Sequence, residues 1–398
     1  LAESRALVID PHQIRKDAGQ PEVQAPAAAE KTVAIASTFT AEPIGEALEF
    51  WMEQLGIQAR ISFAPYAQVF QQLLDPESLF LKNKNGFNII LLRLEDWQRQ
   101  TDAPSAAPAL DREAQEAVER NAESFLRMLA SAAAGTACPF IVCLCPVSPA
   151  GPAAKAAFFE AMQQRLESAL ARMSNVYCLM PGELASLYPV ADYYEVLGER
   201  IGHIPFTPLF FTAMATAVAR RICALCHAPH KVIVLDCDQT LWRGVAGEDG
   251  PLGVAVDAPL QALQQFMIAQ HDAGMLLCLC SKNAEEDVWR VFAANPGMLL
   301  RREHIASWRI NWQPKSENIK SLAAELNLGL DSFIFVDDNP LECAEVQANC
   351  PEALILQLPA EPEAIPVFVR QVWGVDHVKV TAEDRMRTAL YRENAQRE

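Results

Sequence analysis

From Lys31 onward, short apolar runs rich in β-branched residues alternate with longer stretches whose apolar positions recur at helical spacing. The runs Thr32-Val33-Ala34-Ile35-Ala36, Arg60-Ile61-Ser62-Phe63, Asn88 to Leu94, Phe140 to Leu144 and Val176 to Met180 predict strands. Between them, Pro43 to Leu55, Gln68 to Leu74, Arg112 to Ala134, Ala153 to Met173 and a stretch ending near Arg221 predict helices. Such alternation predicts βα units and a parallel sheet. Pro229-His230 interrupts the helical pattern before the run Lys231 to Leu235, which sets a domain boundary near residue 228. The second half then repeats the scheme, with strands at Val232 to Leu235, Met275 to Cys280, Phe333 to Val336 and Leu354 to Leu358. Its helices are Leu260 to His271, Glu285 to Ala293 and Glu317 to Leu326. The expected fold class is therefore α/β, with two doubly wound parallel-sheet domains at 31–228 and 229–360. A linker at 1–30, rich in Ala, Pro, Gln and Glu, precedes them, and a helical extension at 361–398 follows. No fixed-period repeat is present.

Two domains also suit the length of 398 residues. The 33 basic residues against 50 acidic ones give a net charge of −17, which repels a phosphate backbone over most of the surface and argues against nucleic-acid binding. No apolar run reaches the roughly 18 residues that cross a bilayer, and the N-terminus lacks the basic-then-apolar order of a secretory signal. A cytosolic (cytoplasmic) protein without membrane contact is expected. The 11 cysteines are odd in number, and several sit in apolar runs, which predicts buried reduced thiols and no disulfide framework. The chain begins with Leu and stops inside a charged helical pattern, so it is expected to be a segment of a longer polypeptide.

In an open parallel sheet the chemistry gathers beyond the carboxyl ends of the strands. Three second-half strands run into reactive groups there: Asp236 and Asp238 after the first, Ser281 after the second, Asp337 and Asp338 after the last. Lys315 precedes the helix that feeds the last strand. Clustered carboxylates repel one another unless a divalent cation lies between them, and an all-oxygen set favours Mg²⁺. With Mg²⁺, a hydroxyl and an ammonium converging, one carboxylate can attack phosphorus while another moves a proton. The run Asp236-Cys237-Asp238-Gln239-Thr240 is by itself a weak signal, because short acidic turns commonly cap helices or solvate loops. Its place after a buried strand, followed in order by Ser281, Lys315 and the Asp337-Asp338 pair, is what points to phosphoryl transfer. About twenty residues separate Asp238 from Leu260, enough for a flap around Trp242 to Gly250 and too few for a cap domain. The site is expected to be open.

This ordered set resembles the haloacid dehalogenase superfamily. The resemblance implies Asp236 as nucleophile and metal ligand and Asp238 as general acid/base, Asp238 also being counted with the metal set. It implies Ser281 and Lys315 as phosphate contacts, Thr240 and Asn283 as substrate contacts, and Asp337 with Asp338 as distal metal ligands. More closely, Val234 to Trp242, Cys280-Ser281-Lys282-Asn283, Asn311 to Asn318 and Phe335 to Pro340 look like the FkbH-like family. That likeness extends through Ala64-Pro65-Tyr66, Gln68 to Pro76 and Val380 to Arg385, nearly all of the chain after residue 30. It implies recruitment of a three-carbon unit from 1,3-bisphosphoglycerate, removal of phosphate, and delivery of a glyceryl group to the phosphopantetheine thiol of an acyl carrier protein. Such a domain works within a larger modular synthase of polyketide and non-ribosomal peptide assembly.

Several residues keep two readings. Cys237 could accept the acyl group as a thioester, or point into the core as a structural thiol, since side chains alternate along a strand. Arg301, Arg302 and His304 could grip a phosphate or an acidic carrier, or form a solvated basic turn. Arg243 lies in the flap, where relatives are expected to carry a small residue. In the first domain Ser37, Glu95-Asp96 and His203 resemble SGNH-type esterases, in which Ser and a late His cooperate. The match departs at Ala36-Ser37-Thr38-Phe39, which lacks a glycine-aspartate setting, and at Arg200, which stands where an Asp would three residues before the His. A degenerate domain serving as lid or carrier-docking surface is the other reading. Two further functions compete with glyceryl transfer: a small-molecule phosphatase of the same superfamily, and a non-catalytic docking module.

Overall fold

A computed structural model describes residues 30–98, 111–149 and 153–377. The expected linker, residue 30 apart, and the end of the helical extension at 378–398 lie outside the described residues. The chain divides into two compact units, with the division between Cys223 and Ala224.

In the N-terminal unit the elements run β1 (Lys31–Ser37), α1 (Gly45–Gln54), β2 (Ala59–Phe63), α2 (Val69–Leu74), α3 (Leu79–Lys82), β3 (Gly86–Leu92), α4 (Arg112–Ala134), β4 (Phe140–Leu144), α5 (Ala153–Leu170), β5 (Val176–Leu179), α6 (Pro181–Leu187), α7 (Val196–Gly202) and α8 (Pro208–Cys226). The strands form one parallel sheet in the order β2-β1-β3-β4-β5. β1, β3 and β4 are apolar and buried along nearly their whole length because helices cover both faces. α8 is 19 residues long with a mean hydropathy of 1.5, enough by length and composition to cross a bilayer. Its residues Phe210, Phe211, Met214, Val218 and Ile222 are instead buried in this unit, which makes it a core helix.

The C-terminal unit continues with β6 (Val232–Leu235), α9 (Ala246–Gly253), α10 (Ala258–Asp272), β7 (Leu276–Ser281), α11 (Glu285–Ala294), β8 (Ile305–Ile310), α12 (Lys315–Leu326), β9 (Phe333–Asp337), α13 (Pro340–Asn349), β10 (Leu354–Gln357) and α14 (Ile365–Arg370). Its parallel sheet has the order β10-β9-β6-β7-β8. Side chains alternate between two cores. Ile233, Leu235, Leu277, Leu279, Ile334 and Val336 pack on one face, and Val232, Val234, Leu276, Cys278, Phe333 and Phe335 on the other. The connection reverses direction between β6 and β9, and in doubly wound sheets that reversal opens a crevice beyond the strand ends. In the N-terminal unit the matching reversal lies between β1 and β3.

The fold is thus the expected α/β class of two doubly wound parallel sheets. One element of the C-terminal sheet, the edge strand β8, has no counterpart among the predicted strands.

Candidate functional site

β6, β7 and β9 each end at the crevice with the polar groups that follow them. Asp236 leaves β6 with its backbone N–H still bonded to Val336 on β9, so the two chain ends are locked side by side. A tight turn follows, in which Thr240 and Leu241 N–H groups return to the Cys237 carbonyl and Gln239 adopts a left-handed φ of 59°. That turn points the Thr240 hydroxyl at Asp338 Oδ1, 3.2 Å away. Pro314 opens α12, and Lys315 on its first turn reaches back under the strand ends.

Lys315 Nζ lies 2.9 Å from Asp236 Oδ1 and also donates to Asp337 Oδ2. All three side chains are buried. Oxygens of Asp236, Asp337 and Asp338 come within 4.8 Å of one another. Burial pushes the Asp236 carboxyl up to about 6, with Asp337 adding to the rise and Lys315 opposing it. Asp337 and Asp338 are raised as well, chiefly by burial. Lys315 would be lowered by burial, but its flanking aspartates hold it above its usual value. One ammonium therefore faces three carboxylates that burial disfavours as anions. A second positive charge suits this arrangement, and an all-oxygen donor set of this kind suits a hard divalent cation. Asp236, Asp337 and Asp338 are the residues that fit it, both members of the Asp337-Asp338 pair included.

Asp238 stands outside that trio. Trp242 Nε1 and the Ala246 N–H donate to its Oδ1 at 2.8 and 3.0 Å, and Asn283 Nδ2 donates to its Oδ2 at 2.9 Å. Asn283 also donates to Ser281 Oγ at 3.3 Å, joining the end of β7 to the group. Cys237 is fully buried in the same apolar cluster as Ile233 and Leu235, four and two residues earlier on that face. Burial first, and Asp236 next, push its thiol well above the ordinary range. It packs as a core thiol on that face, with Ser281 as its polar neighbour.

Arg301 and Arg302 require a correction. They precede β8, whose pairing sets Ile305 beside Leu277 and Ile310 beside Ser281, so they lie at the opposite end of the sheet. At about 3.3 Å per residue the distance along β8 to the crevice end is roughly 15 Å or more. Arg302 instead stacks 4.6 Å over Trp289 and 5.3 Å over Trp308, while the Arg301 N–H bonds His304 Nδ1 at 3.0 Å. The start of β8 lacks the apolar run of a buried strand and reads in sequence as a turn; of its two readings, the solvated basic turn is the one that fits this position. Arg243 pairs with Asp257 at the head of α10, anchoring the base of the flap. Gly244 beside it has a φ of +97°, and a Cβ there would meet Asp249 Oδ2 at 2.5 Å, so only glycine fits.

Sequence reasoning did not single out the braces behind these groups. Ser316, next to Lys315, gives its N–H and hydroxyl to Glu345 of α13, which ties α12 to the helix after Asp337 and Asp338. Asn311 and Asn318 exchange amide hydrogen bonds at 3.2 and 2.9 Å across the loop that delivers Lys315. Both asparagines lie in the run Asn311 to Asn318, but nothing in one sequence marks them as partners.

In the N-terminal unit, Ser37 and His203 are not joined. The Ser37 hydroxyl donates to the Phe39 carbonyl and lies in a small cavity with Ile35, Phe63 and Tyr66. His203 sits between Asp96 and Glu199, 3.4 Å from each. Arg93, fully buried, bonds the same two carboxylates, with Glu199 Oε1 at 2.9 Å. The guanidinium pairs with both acids and the imidazole bridges the same two carboxylates, so it faces them rather than Ser37.

The fold is shared with a solved structure, the N-terminal part of the protein BF1531 from Bacteroides fragilis, described as containing a phosphatase domain complexed with Mg. The identity is 20%, the TM-score 0.72, and the match covers 94% of this chain and 99% of that one. Tagatose-6-phosphate ketose/aldose isomerase from Escherichia coli aligns at 13% identity over 91% of this chain and 83% of its own, with a TM-score of 0.19. No protein-family model matches the sequence, and no curated protein matches it. The chain therefore has the fold of that Bacteroides phosphatase-domain structure, with a buried Asp-Lys-Asp cluster at the switch crevice of its C-terminal sheet.

Proposed function

We propose that the C-terminal unit catalyses magnesium-dependent phosphoryl transfer of the haloacid dehalogenase type. The observation that carries this reading is the convergence of Asp236, Lys315, Asp337 and Asp338 at one crevice. Mg²⁺ among Asp236, Asp337 and Asp338 would neutralise phosphate charge and orient the phosphoryl group. Asp236 attacks phosphorus, Lys315 and Ser281 hold phosphate oxygens, and Asp238 gives a proton to the leaving oxygen and later takes one from water.

The substrate we propose is 1,3-bisphosphoglycerate, and the product a glyceryl thioester on the phosphopantetheine thiol of an acyl carrier protein. The two phosphates of that substrate call for different chemistry. Attack by Asp236 on the acyl phosphate would release a free carboxylate and discard its activation. The carrier thiol must instead attack the carbonyl carbon, breaking its bond to the phosphate oxygen and releasing inorganic phosphate. Asp236 then serves the remaining phosphate ester, so that the two steps together leave glyceryl thioester and two phosphates. The burial of Cys237 favours direct transfer to the carrier over a protein thioester. Exposed Leu252, Trp312 and Leu341, on the segments following β6, β8 and β9, offer apolar footing for a protein partner.

The test is intact-mass spectrometry of a carrier protein incubated with the enzyme, Mg²⁺ and 1,3-bisphosphoglycerate generated in place. Gain of a glyceryl mass supports the full reading. Phosphate release with no mass gain on the carrier leaves a small-molecule phosphatase, the reading that a solvent-inaccessible Cys237 also permits. Neither product would leave the docking module.

A further inference from the structure

Asp238 is gripped unequally at its two oxygens. Oδ1 accepts from both Trp242 Nε1 and the Ala246 N–H, whereas Oδ2 accepts from Asn283 alone. A carboxylate oxygen has about two acceptor sites, so Oδ1 is filled and Oδ2 keeps one open. The donors are themselves fixed. Trp242 is fully buried and meets Phe292 edge-on at 6.1 Å, and Asn283 is buried and shared with Ser281 Oγ.

We propose that Trp242 and Asn283 are positioning residues for proton transfer, anchoring Asp238 so that Oδ2 is the oxygen that handles the proton. This rests on the reading of Asp238 as acid/base given above. In the first half-reaction a carboxylate oxygen of Asp236 forms a bond to phosphorus and the bond from phosphorus to the leaving oxygen breaks. The proton on Asp238 Oδ2 passes to that leaving oxygen, and the electron pair stays on Asp238. The anion so formed meets three N–H donors already in place, with no reorganisation at the moment of reaction. Because the Ala246 N–H opens α9, the same Oδ1 anchor ties the flap to the proton-transfer group.

Trp242→Phe keeps the ring and removes one donor to Oδ1. Asn283→Leu removes the donor to Oδ2. We would compare kcat/KM, which reports transfer to Asp236, for phenyl phosphate and p-nitrophenyl phosphate. The nitrophenolate leaves without a proton and phenolate does not, so a misplaced acid slows only the first ester. Trp242→Phe is expected to lose about tenfold on phenyl phosphate, part of the about 10²–10⁴ that general acid catalysis provides, and to stay within about twofold on the nitro ester; Asn283→Leu, which also frees Ser281, is expected to lose on both esters but about tenfold more on phenyl phosphate. Equal losses on both esters, or none, would reduce Trp242 and Asn283 to packing and overturn the proposal. Asp238→Asn separates the layers. If it splits the two esters and the other variants do not, the positioning role alone falls; if it does not split them, the acid assignment beneath it falls too.

Discussion

At Cys237 a single parity decides a chemical question. The thiol follows Ile233 and Leu235 on one face of the sheet, and the strand pattern does not bend to expose it. Removing the sulfur therefore costs packing, about 1 kcal/mol, and no chemistry. We predict that Cys237→Ala retains phosphate release and carrier acylation within about twofold, a margin below the about tenfold that 1.4 kcal/mol in a barrier represents. Loss of carrier acylation with phosphate release intact would restore the thioester reading. The two aspartates on either side were legible in sequence because Ser281, Lys315 and the Asp337-Asp338 pair follow them in order at or near later strand ends. The direction of the residue between them was not, since one residue of register at the strand end inverts it.

Among the elements, β8 shows where patterning loses power. Its sequence, Ile305-Ala-Ser-Trp-Arg-Ile310, mixes burial along its length because it is an edge strand with Trp308 and Arg309 only partly buried. The continuous apolar runs that mark β6, β7 and β9 are absent there, so the arginines before it were read as site residues. We predict that Arg301→Ala and Arg302→Ala leave KM for phosphate esters unchanged within about twofold, less than the tenfold that each 1.4 kcal/mol of binding represents; a large rise in KM would return them to the site. α7 presents the opposite case, a helix with no buried residue. Its end is held by Glu199 and His203, which face Arg93 and Asp96, with Glu95 behind Arg93 and the Tyr66 ring against His203. Burial alone would lower His203, but Asp96 and Glu199 raise it. Glu199 is held well below its usual value because His203 and Arg93 outweigh the effect of burial. A raised His stabilises the fold fully below its unfolded value of about 6.5, and that stability is lost as pH rises through the folded value. Glu199 adds stability above about 4.3, lost as pH falls through its lowered value. Amide exchange over Val196–Gly202 should therefore show opening that becomes easier, beyond the intrinsic pH effect on exchange, as pH climbs above the raised His203 value. His203→Gln should abolish that pH dependence, and an unaltered dependence would show that the imidazole does not hold the helix.

At the scale of the molecule, length and the alternating pattern were enough for two doubly wound sheets, because each βα unit writes its own signature locally. The braces Glu345–Ser316 and Asn311–Asn318 were not legible, because they join residues that only the finished sheet brings together. The acidic crevice has a consequence for the whole C-terminal unit. Carboxylates raised in the folded state, Asp236 to about 6, stabilise it below the unfolded value of about 3.9 and withdraw that stability as pH rises through the folded values. Mg²⁺ requires the deprotonated acids and binds only the folded site, so its stabilising effect grows with pH. We predict a larger rise in Tm on adding Mg²⁺ to chelator-treated protein at pH 7.5 than at pH 5, and no rise with Asp236→Asn at either. An equal rise at both pH values would place the metal elsewhere.

The most direct measurement is phosphate release from a phosphate ester by the wild-type protein and by Asp236→Asn, each with Mg²⁺ and with chelator. Asp236 is asked to be the nucleophile, and its amide analogue keeps the side chain's shape. Turnover that needs Mg²⁺ and falls at least about 10³-fold in the folded variant, as expected when a nucleophile is removed, is the predicted result. Turnover by Asp236→Asn at the wild-type rate, or turnover indifferent to Mg²⁺, would contradict it.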